Sequence, residues 1–475
     1  MKDRRRTSTS SFGVSGRESH DASGFYDRFR TPELSSDRDL LAPMPVPEPF
    51  QHGDARSMDA VPDGSVGLVI TSPPYFAGKT YEEELERDGV PSSYLEYLEM
   101  LTEVFAECVT KLEPGGRIAV NVANLGRKPY RSLSSDVIRI LEHDLGLLLR
   151  GEVIWQKGEG ASGSCAWGSY RSASNPVLRD LTERVIIASK GRFDRARPVK
   201  ERSSLGLPSE STLSTDDFLE LTLDVWSIPP ESARRVGHPA PFPVELPEQL
   251  IRLYSFADDL VLDPFMGSGS TLVAASKLGR RFIGYDLDVA FVDLARARVE
   301  AEGAPIAVAS GDRTTQQRHV ASAEGRSAVA VCLEALSAAG FTTTATDVRI
   351  PKSGLSIAAT VEDATRTPWQ IEVAGSFTSH RGGLTRADVV LKTLGRLNVL
   401  RGRLGPQARL LVVTCERPGH RSEAENLLRA AGPDAFFDVI DVFDDDDLIR
   451  LRHYGSESAM TPLEGFWTPK DLAAR

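Results

Sequence analysis

The sequence has few cysteines, and they are far apart. Its 475 residues contain four, Cys108, Cys165, Cys332 and Cys415, and no two of them form a C-x-x-C pair. Such pairs are typical of zinc sites and redox motifs, and closely spaced even sets are typical of disulfide frameworks. We therefore expect neither a zinc site nor a disulfide framework, and a reducing compartment suits this pattern.

Long apolar runs are missing as well. No stretch approaches the roughly 18 apolar residues that a membrane-spanning helix needs. The N-terminus, residues 1–12, is basic but is not followed by the apolar segment that a secretory signal requires. With 41% hydrophobic and 26% charged residues, we expect a cytoplasmic, globular protein of two or three domains that does not contact membrane.

The chain also lacks an excess of positive charge, since its formal net charge is −11. Net charge alone predicts no affinity for nucleic acid. The charge is uneven, however: Asp444–Asp447 form an acidic run, whereas residues 169–202 are rich in arginine. Because a local basic face can bind phosphates on an acidic protein, composition leaves a nucleic-acid partner open.

Composition and periodicity divide the chain into four parts. Residues 1–45 are rich in serine and charge and poor in aliphatics, which predicts a disordered tail. Residues 46–302 alternate strand and helix, as in a doubly wound parallel sheet, but the alternation is lost within residues 157–225. A small and polar stretch, 303–326, is predicted to be a linker, and 327–475 to be a second, smaller α/β domain.

The first chemical motif is Ser72-Pro73-Pro74-Tyr75, directly after the short apolar run 67–70. Such a run predicts a buried parallel strand, and open α/β sheets bind ligands at the carboxyl ends of their strands. Two prolines stiffen the backbone and remove two N–H donors. The Ser72 hydroxyl and the Pro73 carbonyl could accept hydrogen bonds from an amine, and Tyr75 offers a surface on which an extruded base can stack.

The second motif is Asp263-Pro264-Phe265-Met266-Gly267-Ser268-Gly269, between a predicted strand and a predicted helix. Its glycines allow a tight turn close to a ligand, and the helix start presents free N–H groups. Asp286 ends the next predicted strand, where a carboxylate suits ribose hydroxyls. A dinucleotide-dependent dehydrogenase fits less well, because the third glycine of G-x-G-x-x-G is missing and no catalytic constellation is evident.

Together the two motifs resemble those of DNA amino-methyltransferases, in which [D/N/S]-P-P-[Y/F/W] holds the target amine and F-x-G-x-G binds S-adenosyl-L-methionine. The catalytic motif comes first, which is similar to the permuted β class. His52-Gly53-Asp54 resembles the element beside the cofactor adenine, and the segment that contains Phe242 resembles the one that helps to hold the methionine part. The resemblance covers about residues 50–300 and implies a Rossmann-like S-adenosyl-L-methionine-dependent methyltransferase.

The resemblance further implies a catalytic role for Ser72, Pro73, Pro74 and Tyr75, and no metal. It implies cofactor contacts from eight residues: Asp54, Phe242, Asp263, Pro264, Phe265, Gly267, Gly269 and Asp286. The substrate would be double-stranded DNA, flipped at one base, with target recognition by about 157–240. The setting would be restriction-modification or phage defence, with an endonuclease or another defence protein as partner.

Serine at position 72 is commoner in cytosine-N4 enzymes, whereas adenine-N6 enzymes usually have Asp or Asn there. The sequence therefore favours cytosine N4, with adenine N6 and an RNA or protein-amide substrate as open alternatives. Arg171, Arg179 and Arg184 could contact phosphates or simply be solvated. Cys108 lies on the apolar face of a predicted helix, which argues against a thiol mechanism at cytosine C5.

The order of elements in 327–475 resembles the core of PD-(D/E)xK nucleases. Glu372 stands where that family has its acidic residue, but Ala374 occupies the lysine position. Asp347 or Asp363 would have to supply the second carboxylate, and Lys392 could substitute for the lysine. We expect a degenerate, non-cleaving module that binds DNA or a partner; a small α/β domain without that role and a fused endonuclease remain as alternatives.

Overall fold

A computed structural model gives the architecture of the chain. The described residues are 34–74, 93–124, 130–158, 173–176, 178, 180–213, 215–231, 236, 241–303, 327–374, 383–457 and 459–473. Several predicted features lie outside these residues, among them Tyr75, Arg171, Arg179 and the predicted linker from 304 onward.

Eight strands form the first sheet, and four of them, β2, β3, β5 and β7, are wholly or largely buried. In chain order they are β1 (Phe50–His52), β2 (Val66–Thr71), β3 (Leu112–Val122), β4 (Leu148–Gln156), β5 (Thr182–Ser189), β6 (Val225–Ser227), β7 (Leu260–Asp263) and β8 (Arg281–Asp286).

The spatial order of these strands is β1-β8-β7-β2-β3-β5-β4-β6. All neighbours pair in parallel except at β5, which is antiparallel to both β3 and β4. The sheet is therefore mixed, and the antiparallel direction of β5 was not predicted. The rest of the α/β prediction is confirmed, and the two strands that precede the motifs, β2 and β7, are direct neighbours.

Helices of this domain cover both faces of the sheet. They are α1 (Tyr94–Lys111), α2 (Leu133–Arg139) with a π-helical continuation (Ile140–Asp144), α3 (Val199–Ser204), α4 (Thr215–Leu221), α5 (Glu245–Tyr254), α6 (Ser270–Lys277) and α7 (Val289–Glu302). The two short helices α3 and α4, together with β1 and β6, were not predicted, because three to seven residues are too few to show a period.

Helix α1 shows how sequence sets an element here. Ser93 caps it by accepting a hydrogen bond from the Glu96 N–H at 3.2 Å, which satisfies one of the unpaired donors of the first turn. Its apolar face is buried against the sheet, and Cys108 on that face is fully buried. Cys108 is therefore a core residue, as expected, and burial raises the pKa of its thiol.

The segment 34–47, most of which we assigned to a disordered tail, has neither helix nor strand but contacts the first domain. The N–H of Ser35 donates to the Gly191 carbonyl at 2.7 Å, and Arg38 donates to the Ala196 carbonyl at 3.2 Å. Residues 41–48 line a cavity of about 290 Å³ beside Asp259 and Arg202. This part of the predicted tail therefore has defined partners, through backbone and arginine groups that composition does not reveal.

The second domain is a five-stranded mixed sheet with helices, as expected for an α/β unit. The strands are β9 (Thr342–Arg349), β10 (Ser356–Glu362), β11 (Pro368–Val373), β12 (Arg409–Thr414) and β13 (Asp438–Asp441). The helices are α8 (Ala328–Ala338), α9 (Ala387–Leu404), α10 (Glu423–Ala431), α11 (Asp445–Ser456) and α12 (Pro469–Ala473).

The strand order in this sheet is β13-β12-β11-β10-β9. Strands β9, β10 and β11 form an antiparallel meander, and β11, β12 and β13 run parallel to one another. Its core is aromatic: Trp369 is fully buried and packs edge-on against Phe341 and Phe437. Among the described helices of the whole chain, none is long and apolar enough to cross a membrane.

Candidate active site

The predicted catalytic motif leaves the sheet at the carboxyl end of β2. Ser72 is half-buried and Pro73 is buried, and β2 lies in the middle of the sheet between β3 and β7. The structure thus places the Ser72 hydroxyl at the sheet edge where α/β proteins bind ligands. Pro74 is half-buried, and Tyr75 lies outside the described residues.

The predicted cofactor motif forms a tight turn between β7 and α6. Gly267 and Gly269 have φ of 45° and 77°, a region that glycine enters without steric cost. At Gly269 space is also short, because a Cβ there would lie 2.9 Å from the Cβ of Ala295 on α7. Gly269 is the N-cap of α6, so the free N–H groups of that helix face the end of the turn.

A buried hydrogen bond links the two motifs. The Thr71 hydroxyl, one residue before Ser72, donates to Oδ1 of Asp263 at 2.8 Å, and the same oxygen accepts the Phe265 N–H at 3.1 Å. Asp263 is completely buried, and this burial raises the pKa of its carboxyl group to about 6, partly offset by the hydroxyls of Thr271 and Thr71. Through these hydrogen bonds Asp263 ties the turn to the end of β2.

Asp286, at the end of β8, lies against the same turn. Its two carboxylate oxygens accept the Gly267 N–H and the Asp288 N–H, both at 2.9 Å. Burial raises the pKa of this carboxyl group. Each carboxylate oxygen has two lone pairs, so Asp286 can accept further hydrogen bonds from a ligand hydroxyl.

Asp54 is brought to the same edge by β1. The Gly53 N–H donates to the Asp286 carbonyl at 3.0 Å, so the two acidic residues follow neighbouring parallel strands. The Asp54 carboxylate also accepts hydrogen bonds from Arg56, and these bonds lower its pKa. Both partners are partly exposed, and an ion pair of this kind contributes little to stability.

The remaining predicted cofactor residues lie around the start of α6. The Phe242 carbonyl accepts a hydrogen bond from the Ser270 hydroxyl at 2.8 Å. Pro264 is buried and Phe265 is half-buried at the turn itself. Buried Arg298 on α7 donates to the hydroxyls of Ser268 and Ser270 at 3.2 and 3.0 Å. Sequence reasoning missed this support, because an arginine near a helix end is ordinarily solvated.

Three further polar residues beside Ser72 were not predicted. Asn121 on β3 donates through Nδ2 to the Ser72 hydroxyl at 3.5 Å and to Oε2 of Glu183 at 2.6 Å. Lys157, directly after β4, forms an ion pair with Oε1 of Glu183. The sequence does contain a sign of this cluster, because Asn121 interrupts an apolar strand. A polar residue at such a position needs a buried hydrogen-bond partner.

Of the arginines proposed for phosphate contacts, only Arg184 lies among the described residues, and it is half-buried on β5. Across the part of the chain that the structure describes, no cluster of three or more His, Cys, Asp or Glu residues has the arrangement of a metal site.

In the second domain, two of the three acidic residues of the nuclease-like pattern, Glu372 and Asp363, have protein partners. Buried Glu372 on β11 forms an ion pair with Arg396 of α9, which also donates to the Ser356 carbonyl at 2.6 Å. Asp363 accepts hydrogen bonds from Thr365, Thr367 and Trp369. Asp347 and Lys392 are exposed.

Comparison with known proteins agrees with this site. A family model described as DNA methylase matches residues 66–297, which contain both motifs. The type II methyltransferase M.MthZI of Methanothermobacter thermautotrophicus is 30% identical over 269 residues, which cover 52% of this chain and 74% of that protein. M.MjaI, a type II methyltransferase of Methanocaldococcus jannaschii, is also 30% identical over 269 residues, which cover 50% of this chain and 86% of the relative.

Among solved structures, a candidate DNA modification methylase of Thermus thermophilus, complexed with S-adenosyl-L-methionine, is 30% identical. The match covers 53% of this chain and 94% of that one, with a TM-score of 0.39. The sequence relatives and the family model decide the assignment: this chain belongs to the N6/N4 DNA methylase family.

Proposed function

We propose that this protein methylates the exocyclic N4 of cytosine in double-stranded DNA, in a restriction-modification or phage-defence setting. The observation that carries the proposal is the placement of Ser72 directly after β2, the neighbour of the strand that leads into the glycine turn. Thr71 and Asp263 are hydrogen-bonded across these two strands at 2.8 Å. A target amine held by one motif would therefore lie beside a cofactor held by the other.

The cofactor is S-adenosyl-L-methionine, as the sequence predicted, and the turn has the chemistry to hold it. The carboxylates of Asp54 and Asp286 follow adjacent strands and can accept hydrogen bonds from hydroxyl or amino groups. The N-terminus of α6 presents backbone N–H groups that favour a negatively charged carboxylate. We assign Gly267, Gly269, Phe265 and Phe242 to the wall of this site and Asp263 to its support.

In the reaction that follows from this arrangement, Ser72 and Pro73 act on the amine. The lone pair of an exocyclic amine is delocalised into the base, and acceptors for its N–H groups favour the pyramidal, reactive form. Bound S-adenosyl-L-methionine would supply an electrophilic methyl group to this amine. The S–C bond electrons would remain with sulfur, and the methylated amine would lose one proton to water. Positioning of the two reactants supplies much of the rate.

The choice of cytosine is supported by Ser72, because the resemblance associates serine at this position with cytosine-N4 enzymes. Adenine N6 is the alternative, since the two amines are chemically similar. A fused endonuclease is disfavoured, because the Glu372 carboxylate is already paired with Arg396 and so is less available to bind Mg²⁺.

The test is mass spectrometry of nucleosides from duplex DNA incubated with the purified protein and labelled S-adenosyl-L-methionine. We expect label in N4-methylcytosine. Label in N6-methyladenine would keep the mechanism and overturn the base. No label in DNA, with cofactor binding intact, would overturn the substrate class and direct the search to RNA and protein amides.

A further inference from the structure

A row of polar side chains crosses the first sheet from Ser72, on the side away from the glycine turn. Strands β2, β3, β5 and β4 are adjacent in this order, and each contributes one side chain at or next to the same edge: Ser72, Asn121, Glu183 and Lys157. The links are the hydrogen bonds of Asn121 to Ser72 and Glu183 and the ion pair of Glu183 with Lys157. The row therefore connects the half-buried cation of Lys157 to the proposed catalytic hydroxyl.

The burial of this row is costly unless its groups are paired. Asn121 is 3% exposed and Glu183 is 6% exposed, and an apolar pair at these positions would fold without the cost of removing a carboxylate from water. Fold stability alone gives no reason to place a charge next to the proposed catalytic serine. Perturbed or buried polar groups of this kind are common at functional sites.

Glu183 determines which end of the Asn121 amide faces Ser72. An ionised carboxylate only accepts hydrogen bonds, so the NH₂ group of Asn121 must point toward Glu183, and the same NH₂ group lies 3.5 Å from the Ser72 hydroxyl oxygen. This contact restricts the rotation of the Ser72 hydroxyl and so helps to fix its orientation toward the amine.

We propose that Asn121 and Glu183 are positioning residues for Ser72, and that Lys157 neutralises the charge of Glu183. The proposal rests on the methyl transfer proposed above and assigns to that site residues that neither motif contains. Neither residue need touch the base or the cofactor. Their loss should therefore slow the chemical step and leave cofactor affinity unchanged.

The experiment measures single-turnover methylation of unmethylated mixed-sequence duplex DNA by the full-length protein, together with the Kd for S-adenosyl-L-methionine and the Tm. Asn121→Asp keeps the size and removes the donor, and we expect the rate to fall about a hundredfold, as for a misplaced reacting group. Glu183→Met removes the acceptor and should act similarly. Glu183→Gln keeps an acceptor oxygen and should cost only about tenfold.

The control is Glu152→Gln, the same substitution at an exposed position of the neighbouring strand β4, which should keep the wild-type rate. Wild-type rates for Asn121→Asp and Glu183→Met would overturn the proposal. So would variants whose cofactor affinity and Tm fall together with the rate, since that pattern indicates a purely structural role. The proposed function is tested separately: it fails only if the wild-type protein leaves DNA unlabelled.

Discussion

The acidic residues of the two sheets have different kinds of partners. At the carboxyl edge of the first sheet, Asp286 accepts hydrogen bonds from backbone N–H groups, and Asp54 pairs with an exposed arginine that solvent can replace. In the second sheet, buried Glu372 is held by Arg396. The first arrangement leaves acceptor positions for a ligand, whereas the second satisfies the carboxylate within the protein.

The difference shows that strand order alone does not carry a function. The second domain reproduces the helix, three-strand meander, helix and parallel strand that led us to compare it with nucleases. Whether a carboxylate can bind a metal ion depends on its partner in the protein. A buried acid that is paired with arginine has little capacity left for a cation. Substitutions in the two sheets can therefore test this contrast.

We expect the largest effect from a substitution in the glycine turn of the first domain. In Gly269→Val the new side chain would overlap Ala295 on α7, with its Cβ only 2.9 Å from that residue, at a φ of 77° that valine avoids. We expect binding of S-adenosyl-L-methionine to fall below detection by calorimetry, because the turn and the start of α6 must move.

The matched control is Gly279→Ala at the other end of α6. That glycine also has positive φ, 66°, but a Cβ there would meet nothing within 4 Å. It should lose about 1–2 kcal/mol of stability from backbone strain and keep cofactor binding. Equal loss of binding in both variants would mean that strain in α6, and not the turn, explains the effect.

Ser72→Ala separates catalysis from cofactor binding. Removal of one group that stabilises a transition state typically costs about 10²–10³-fold in rate, so we expect kcat to fall about a hundredfold with an unchanged Kd for S-adenosyl-L-methionine. Ser65→Ala, just before the opposite end of β2, removes a hydroxyl that bonds the Pro62 carbonyl and should leave kcat unchanged. A Ser72→Ala enzyme with wild-type kcat would contradict the proposed role.

The pH dependence of stability should report on Asp263. Its folded-state pKa of about 6 is above the ordinary value of about 4, so its protonation favours the folded state. Relative to Asp263→Asn, the wild type should be most stable at low pH and lose about 2 kcal/mol of unfolding free energy as pH rises from about 4.5 to about 7.5. Urea unfolding of both proteins across this range measures the difference, and parallel curves would contradict it.

Thr71→Val tests the hydrogen bond between the motifs. The substitution keeps the shape but leaves one oxygen of buried Asp263 with one donor fewer, which costs about 1–3 kcal/mol. Thr71→Ser retains the hydroxyl and should stay close to wild type. Denaturant unfolding compares the two, and equal stabilities would show that the bond is dispensable.

The sequence predicted most of this architecture, for identifiable reasons. Elements with a periodic apolar pattern over many residues, such as α1, or a buried apolar run, such as β2 and β7, were placed to within two residues. Burial against the core dictates these patterns. The antiparallel direction of β5 was not predicted, since the apolar pattern of a buried strand does not depend on the direction in which the strand runs. Asn121 and Glu183 were missed because their significance depends on contacts between distant strands.

The smallest expected effect is in the second domain. Arg396→Met removes the partner of buried Glu372, and an uncompensated buried charge is destabilising. Because the Arg396 side chain is 30% exposed, solvent screens part of the loss, and we expect about 1–2 kcal/mol in unfolding of the second domain. Adding Glu372→Gln should restore much of that stability, since the remaining group is neutral. If Arg396→Met instead gained Mg²⁺-dependent cleavage of DNA that Glu372→Gln abolished, Arg396 would be masking a nuclease site, and the contrast between the two sheets would not hold.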